Sequence, residues 1–436
     1  MTTPSATPGT RPPASIPDSG SQVAATLARM FQDVCGMPLP VRLRAWDDSV
    51  AGPAGGPEVV LRSPAALRRL VWRPNELGLA QAYVTGELDV AGDVADGLRR
   101  VWNVLAADRG WGAAAGPHLL RALRPSNIEA ARRLGALGRR PAPPASQAAL
   151  RGRRHTRIRD KDAIAFHYDL SNDFYALILD ESMAYSCAYW PDGQPDLTLA
   201  QAQTAKLDLI CRKLRLQPGQ RLLDVGCGWG ALVLHAAEHY GVTALGVTLS
   251  AAQAAVAHER IRDRGLADRV EIQTRHYQDF TTAKPFDAVA SVEMGEHVGQ
   301  DAYPGFVTRL WELTAPGGHL LLQQMSRGNR APGGGAFIES FIAPDMHMRP
   351  LSATIGLLED AGWEIRGVQA LREHYVRTVR EWLATLEVRW PRAVALVGEE
   401  TARVWRLYLA GGALAFEQGR MGVDQVLATR SAGGRR

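Results

Sequence analysis

The chain has 436 residues, 46% of them hydrophobic and 22% charged, with a formal net charge of +5 and a sequence pI near 9.1. These values exclude a disordered or fibrous chain, and the length exceeds that at which a single core usually keeps growing, so two domains are expected. Cys35, Cys187, Cys211 and Cys227 form neither a C-x-x-C pair nor a Cys/His cluster, which points to a reducing compartment and no structural metal.

Residues 1–20 are rich in Pro, Ser, Thr and Gly and lack the apolar core of a signal peptide, so a disordered leader is expected there. Residues 21–138 read as a small mixed α/β domain with a strand-like Glu58 to Arg62 and a helix-like Pro64 to Val71. Residues 139–159 read as a basic linker, because Pro141, Pro143 and Pro144 break any helix. Arginines crowd the stretch from Arg121 to Arg159, among them Arg132, Arg133, Arg139, Arg140, Arg151, Arg153, Arg154 and Arg157. Such a stretch suits anionic lipid, nucleic acid or plain solvation. Aromatics are not interleaved with it, which weighs against nucleic acid. No run approaches the roughly 18 to 20 apolar residues that span a bilayer.

Residues 160–436 form the second predicted domain. Strand-like runs at Arg221 to Val225, Val242 to Thr248, Val270 to Gln273, Phe286 to Val292 and His319 to Gln324 alternate with helix-like segments. That alternation predicts an α/β doubly wound parallel sheet with helices on both faces. Ligands of such sheets bind beyond the carboxyl ends of the strands, where the segments after Val225, Thr248 and Val292 would converge. The helix after Leu249 opens on Ser250-Ala251-Ala252-Gln253, a capping-box pattern that gives Gln253 a structural reading as well.

The run Leu222-Leu223-Asp224-Val225-Gly226-Cys227-Gly228-Trp229-Gly230 is a buried-strand pattern breaking into glycines that open a helix. Glycine serves where backbone turns tightly and must approach a ligand, and the following helix start offers free N–H groups. The spacing is G-x-G-x-G rather than the dinucleotide G-x-G-x-x-G, which fits S-adenosylmethionine better than NAD. A purely structural strand-to-helix turn is the alternative.

Further segments carry a family resemblance: His167-Tyr168-Asp169-Leu170-Ser171-Asn172-Asp173-Phe174-Tyr175, Met183-Ala184-Tyr185-Ser186-Cys187-Ala188-Tyr189-Trp190 and Glu296-His297-Val298-Gly299. Together with the glycine loop they closely resemble the cyclopropane-fatty-acyl-phospholipid synthase family, which includes the mycolic acid cyclopropane synthases, over residues 160 to 430. The resemblance implies a class I, Rossmann-like methyltransferase that uses S-adenosylmethionine on the cis double bond of an unsaturated acyl chain, usually in a phospholipid. By matching positions, the cofactor is expected against Tyr185, Ser186, Asp224, Gly226, Gly228, Thr248, Leu249, Gln253, Tyr277 and Gln278. Gly246-Val247-Thr248-Leu249-Ser250 carries no acidic ribose ligand, in keeping with the family and against NAD.

Methyl transfer to an alkene leaves a carbocation, so the pocket must be dry, and aromatic faces at Tyr168, Tyr185, Tyr189 and Trp190 could stabilise cationic charge or simply pack the core. A base must then take a proton, and the resemblance implies a bound bicarbonate anchored by Glu296, Tyr375 and the backbone near Cys187. Cys187 is read as a lining residue, not a nucleophile. Gln323 in Leu321-Leu322-Gln323-Gln324-Met325 stands where the family carries a His bicarbonate ligand. An amide donates a hydrogen bond but relays no proton, which puts bicarbonate binding in question.

This departure, with Phe337 through Pro350, resembles the actinobacterial branch making methylene-branched acids, precursors of 10-methylstearic (tuberculostearic) acid; cyclopropanation is the alternative outcome. His347 in that segment is either a replacement base or a hydrogen-bonding surface residue. No second dinucleotide fingerprint appears, so a separate flavin- or NADPH-dependent reductase is implied for saturating the methylene. The remaining expectations are a cytoplasmic protein lying peripherally on the inner membrane face, an N-terminal domain that handles lipid or dimerises, and no nucleic-acid partner.

Overall fold

The computed structural model describes residues 22–107, 121–148, 171–328 and 333–432. The expected leader, Arg151, Arg153, Arg154 and Arg157, and the motif start His167 to Leu170 with Tyr168, lie outside the described residues. The first domain is built on a four-stranded sheet of β1 (Arg42–Arg44), β2 (Val50–Ala51), β3 (Glu58–Leu61) and β4 (Leu88–Ala91), in the order β2-β1-β3-β4. Leu43, Leu61 and Leu88 face Ala66 and Tyr83 from two helices, Pro64–Trp72 and Glu76–Val84. Both helices start where the sequence supplies caps: Ser63 Oγ accepts from the N–H of Ala65, and Asn75 Oδ1 from those of Leu77 and Gly78.

The second domain holds seven strands: β5 (Arg221–Val225), β6 (Thr243–Thr248), β7 (Val270–Thr274), β8 (Phe286–Val292), β9 (Thr314–Ser326), β10 (Trp363–Ala370) and β11 (Gly422–Arg430). Their order is β10-β11-β9-β8-β5-β6-β7. Neighbouring residues of β5 point to opposite layers: Leu222 packs with Ile210, Leu232, Val233 and Ala257, and Leu223 with Val289, Phe306, Leu310 and Leu320. Helices therefore cover both faces, as a continuous apolar strand requires.

The sheet is mixed rather than parallel throughout, which corrects the sequence expectation. β9, β8, β5, β6 and β7 run parallel, whereas β11 is antiparallel to both β9 and β10. The chain leaves β10 through the paired helices Arg372–Val388 and Trp390–Glu417, and returns as β11 between β10 and β9. β11 hid from a search for apolar runs because Asp424 and Gln425 interrupt it, both buried.

Residues 139–148 are pinned between the domains instead of hanging free. Arg69 Nη1 donates to Ala142 O (2.9 Å), the Ser146 N–H to Glu400 (2.6 Å) and the Ala148 N–H to Ser340 O (2.8 Å). Arg403, buried on the long C-terminal helix, donates to Tyr83 O (2.7 Å), Leu88 O (2.9 Å) and Asp89 (3.1 Å). Leu77, Ala80 and Val84 also pack with Phe337, Phe341 and Ile342. The first domain thus buttresses the segment that follows β9.

Candidate functional site

Three parallel strands end at one place. β5 runs into Gly226, β6 into Leu249 and β8 into Glu293, and a cleft enclosing about 1360 Å³, open solvent at its mouth included, sits beyond them. Gly226 adopts φ +89°, and a Cβ there would lie 2.7 Å from Met294 Cγ. Only glycine turns the chain there without displacing the far wall. The N–H groups of Gly226 and Cys227 both donate to Val247 O, which ties the loop to β6.

All ten expected cofactor residues line this cleft: Tyr185, Ser186, Asp224, Gly226, Gly228, Thr248, Leu249, Gln253, Tyr277 and Gln278. Gln253 reconciles its two readings. Its backbone N–H is capped by Ser250 Oγ (3.2 Å), while its side-chain oxygen accepts from Thr248 Oγ1 (3.0 Å) instead of closing the box. Asp224 is buried with Oδ1 lacking any partner, and burial pushes its carboxyl up to about 7, with Lys206 opposing. An unsatisfied acceptor facing a cleft suits a cationic, donor-bearing ligand such as the α-ammonium of S-adenosylmethionine.

Lys206 was not singled out from the sequence. It is buried, its Nζ donates to Ser186 Oγ (2.9 Å), and burial lowers its pKa while Glu293 and Asp180 pull it back up. The cation therefore stands in the cleft wall among the carboxylates of Glu293, Asp180 and Asp224.

The central departure from the sequence reading concerns the acid. Tyr375 does not join Glu296; its hydroxyl donates to Glu293 Oε2 (2.5 Å). The other oxygen, Oε1, accepts from the Cys187 N–H (2.8 Å) and from Gln323 Nε2 (2.9 Å). Tyr375, Gln323 and the backbone of Cys187 thus converge as expected, on a carboxylate that was passed over. Glu293 lines the cleft and is held at φ +52°, an uncommon conformation for a non-glycine residue. Burial raises its pKa above the usual carboxylate range, and the Tyr375, Cys187 and Gln323 hydrogen bonds and Lys206 oppose that rise. The available signal was position: an acidic residue one step past the end of a central strand.

Gln323 cannot turn away. Its carbonyl accepts from Gln425 Nε2 (2.8 Å), directly across the β9–β11 register, and Gln425 Oε1 in turn accepts from Lys213 Nζ (2.6 Å). That chain leaves the Gln323 amide nitrogen for Glu293 and for Cys187 O (3.3 Å).

Glu296 lies behind the cleft, one turn on. Its Oε1 accepts from the Met325 N–H, its Oε2 has no partner, and burial followed by repulsion from Glu293 pushes its carboxyl up to about 8. Cys187 is buried, with its thiol raised well above the ordinary value by burial and its Sγ directed at Ala188 O and Leu371 O. It contributes through its backbone N–H and carbonyl and does not itself line the cleft, which corrects the expected lining role.

Of the aromatic candidates, Tyr185 reaches the cleft and stacks among Tyr175, Trp382 and Trp405. Trp190 does not line it: the indole sits under Arg377 and donates to Thr378 Oγ1. Tyr189 packs on His374, also away from the cleft. His347 is fixed by its backbone N–H to Glu296 O and does not line the cleft. Among the described residues, no cluster of three or more His, Cys, Asp or Glu could hold a metal ion.

Residues 155–426 match the family described as mycolic acid cyclopropane synthetase. A probable fatty acid methyltransferase of Pseudomonas putida is 36% identical over 411 residues, covering 93% of this chain and 95% of its own. Tuberculostearic acid methyltransferase UfaA1 of Mycobacterium tuberculosis is 32% identical over 89% of this chain and 87% of its own. The structure of the cyclopropane synthase MmaA2 from Mycobacterium tuberculosis superposes with a TM-score of 0.59 at 32% identity, covering 63% of this chain and 99% of that one.

Proposed function

Since the chain belongs to the mycolic acid cyclopropane synthetase family of S-adenosylmethionine-dependent methyltransferases, we propose that it methylates the cis double bond of an oleoyl-type phospholipid chain and leaves a 10-methylene branch, the precursor of 10-methylstearic acid. The observation that carries the reading is the half-buried, triply hydrogen-bonded Glu293 carboxylate facing the cleft, with no activated nucleophile beside it. Such a site suits a substrate that needs alkylating and then deprotonating, with no covalent enzyme intermediate.

The cofactor, when bound against Asp224, Gly226, Thr248 and Gln253, supplies an electrophilic methyl carbon. Tyr185 and its aromatic neighbours offer π faces toward cationic charge developing on the chain. Burial of Lys206 and Tyr375 around the half-buried Glu293 limits the access of water to that cation. After a hydride shift between the former alkene carbons, proton loss from the new methyl gives the methylene; proton loss without that shift closes a cyclopropane ring. Support for the branch comes from relatives named for fatty acid and tuberculostearic acid methylation that match along nearly the whole chain. Cyclopropane mycolic acid synthases, 34% identical over 59% of the chain, favour the ring as the alternative. A separate flavin- or NADPH-dependent reductase would then saturate the methylene.

A membrane-borne substrate is supported by the first domain. Trp72 (50% exposed), Leu123 (57%), Ile128 and Leu137 stand out among exposed Arg124, Arg132, Arg133, Arg139 and Arg140. Apolar side chains set among arginines suit peripheral docking on an anionic bilayer, and no described helix is long and apolar enough to cross one. The test is incubation of the enzyme with S-adenosylmethionine and oleoyl phospholipid, followed by proton NMR of the isolated lipid. Vinylic methylene signals support the proposal, upfield ring protons assign the alternative, and an unalkylated chain refutes both.

A further inference from the structure

We propose that Glu293 is itself the proton acceptor of this enzyme, its carboxylate filling the place of an exogenous anion, so that turnover needs no bicarbonate. The inference rests on the acyl-methylation reading and holds for either product, since both demand loss of one proton.

The geometry is that of an anion site already occupied. Three donors from separate parts of the chain, the Cys187 N–H (2.8 Å), Gln323 Nε2 (2.9 Å) and the Tyr375 hydroxyl (2.5 Å), all end on the two oxygens of Glu293. A free carbonate-type anion bound by these donors would need the same lone-pair positions, and the side chain takes them from within. Gln323 is held to this duty by Gln425, and as an amide it can neither receive nor pass on the proton. Tyr375 is also unfit as a base, because burial and the adjacent Glu293 raise its phenol far above the ordinary value. Glu293 is the member of the cluster that both lines the cleft and has an oxygen able to accept a proton.

The step balances without a further reactant. The alkene π pair forms the new bond to the methyl carbon as the sulfur–methyl bond breaks toward sulfur, leaving positive charge on the chain. Glu293 Oε then takes a proton from the new methyl group. The electron pair of that C–H bond becomes the methylene π bond, or the ring bond when no hydride shift has intervened. Glu293 ends the cycle as a neutral acid, and the proton leaves to bulk water as product departs.

The test uses the full chain, radiolabelled S-adenosylmethionine and monounsaturated phospholipid vesicles in buffer stripped of carbon dioxide, with and without added bicarbonate. Wild type is expected to turn over at the same rate in both. Glu293→Gly removes the carboxylate and opens its place; it is expected to lose at least about a hundredfold in kcat, in line with the contribution of a positioned base, and to regain at least about tenfold with added bicarbonate. Glu293→Gln fills the place with an inert amide and is expected to stay inactive with bicarbonate while still binding S-adenosylhomocysteine. Wild-type turnover that collapses without bicarbonate, or a Glu293→Gln variant near wild-type rate, overturns the proposal. A second readout does not require the reaction: carbon-13 bicarbonate should show bound-state line broadening with Glu293→Gly and none with wild type, and broadening with wild type overturns the proposal. Failure of the acyl-methylation reading shows differently, as wild type that labels no lipid under any condition.

Discussion

Glu296→Gln gives a stability signature that follows from one buried carboxyl. The side chain is 1% exposed and its carboxyl is pushed from 4.5 up to about 8, first by burial and then by repulsion from Glu293. An acid whose folded pKa lies above its unfolded value binds more protons when folded, so its contribution is complete below about pH 4 and is lost as pH rises toward 8. Over that whole interval, at about 1.4 kcal/mol per pH unit, the loss amounts to about 5 kcal/mol. Between pH 6 and pH 8 the share is about 2 kcal/mol, because the group is already half ionised at the upper end. Glutamine keeps the oxygen that accepts from the Met325 N–H and does not titrate. Its amide donor would lie where Glu296 Oε2 has no partner, a cost of about 1–3 kcal/mol that is the same at both pH values. Asp224, raised to about 7, titrates in both proteins and cancels from the comparison. Urea unfolding of wild type and Glu296→Gln at pH 6 and pH 8 should therefore show the variant gaining about 2 kcal/mol on wild type across the interval. A difference that stays constant to within about 0.5 kcal/mol would refute the assignment of Glu296 as a neutral, buried acid at pH 6.

Gly226→Ala should weaken S-adenosylhomocysteine binding by about tenfold or more, measured calorimetrically, because left-handed backbone costs about 1–2 kcal/mol for alanine and the new methyl meets Met294 at 2.7 Å. Arg403→Met should lower stability by about 1–3 kcal/mol, the cost of leaving buried acceptors unsatisfied, since it strands the carbonyls of Tyr83 and Leu88 while Asp89 keeps Arg62; denaturation and protease cleavage within residues 76–91 report it. Arg132→Glu with Arg133→Glu should release the protein from anionic vesicles at low salt while leaving binding to neutral vesicles unchanged, read by cosedimentation.

The parallel half of the sheet was legible because β5, β6 and β8 read as largely buried apolar runs and the edge strand β7 alternates buried Val270 and Ile272 with exposed Glu271; all four fall within a residue or two of the expected segments. The antiparallel edge was not. β10 is largely exposed over Arg366 to Val368, and β11 carries buried polar residues, so neither shows the pattern on which the reading depended. The cofactor cleft was legible for a local reason, since glycine spacing and the residues that end a strand lie together in sequence. Glu293 depends on partners 30, 82 and 106 residues away, which no local pattern announces.

Glutamine at 323 and the acid at 293 make physical sense as a pair. A carboxylate placed among the anion-binding donors needs donors that remain neutral and keep their hydrogens; a histidine at 323 could present a lone pair to Glu293 in one tautomer or a full positive charge when protonated. The first would repel the carboxylate, and the second would clamp it as an ion pair and depress its affinity for a proton. An amide does neither. With its carbonyl taken by Gln425, Gln323 presents an N–H alone, which orients Glu293 without adding a charge that titrates. The compensating positive charge is carried instead by Lys206, hydrogen-bonded to Ser186 in the cleft wall. Orientation and charge compensation are thus divided between two residues, and the carboxylate keeps a raised affinity for a proton, the property a base in a dry cleft requires.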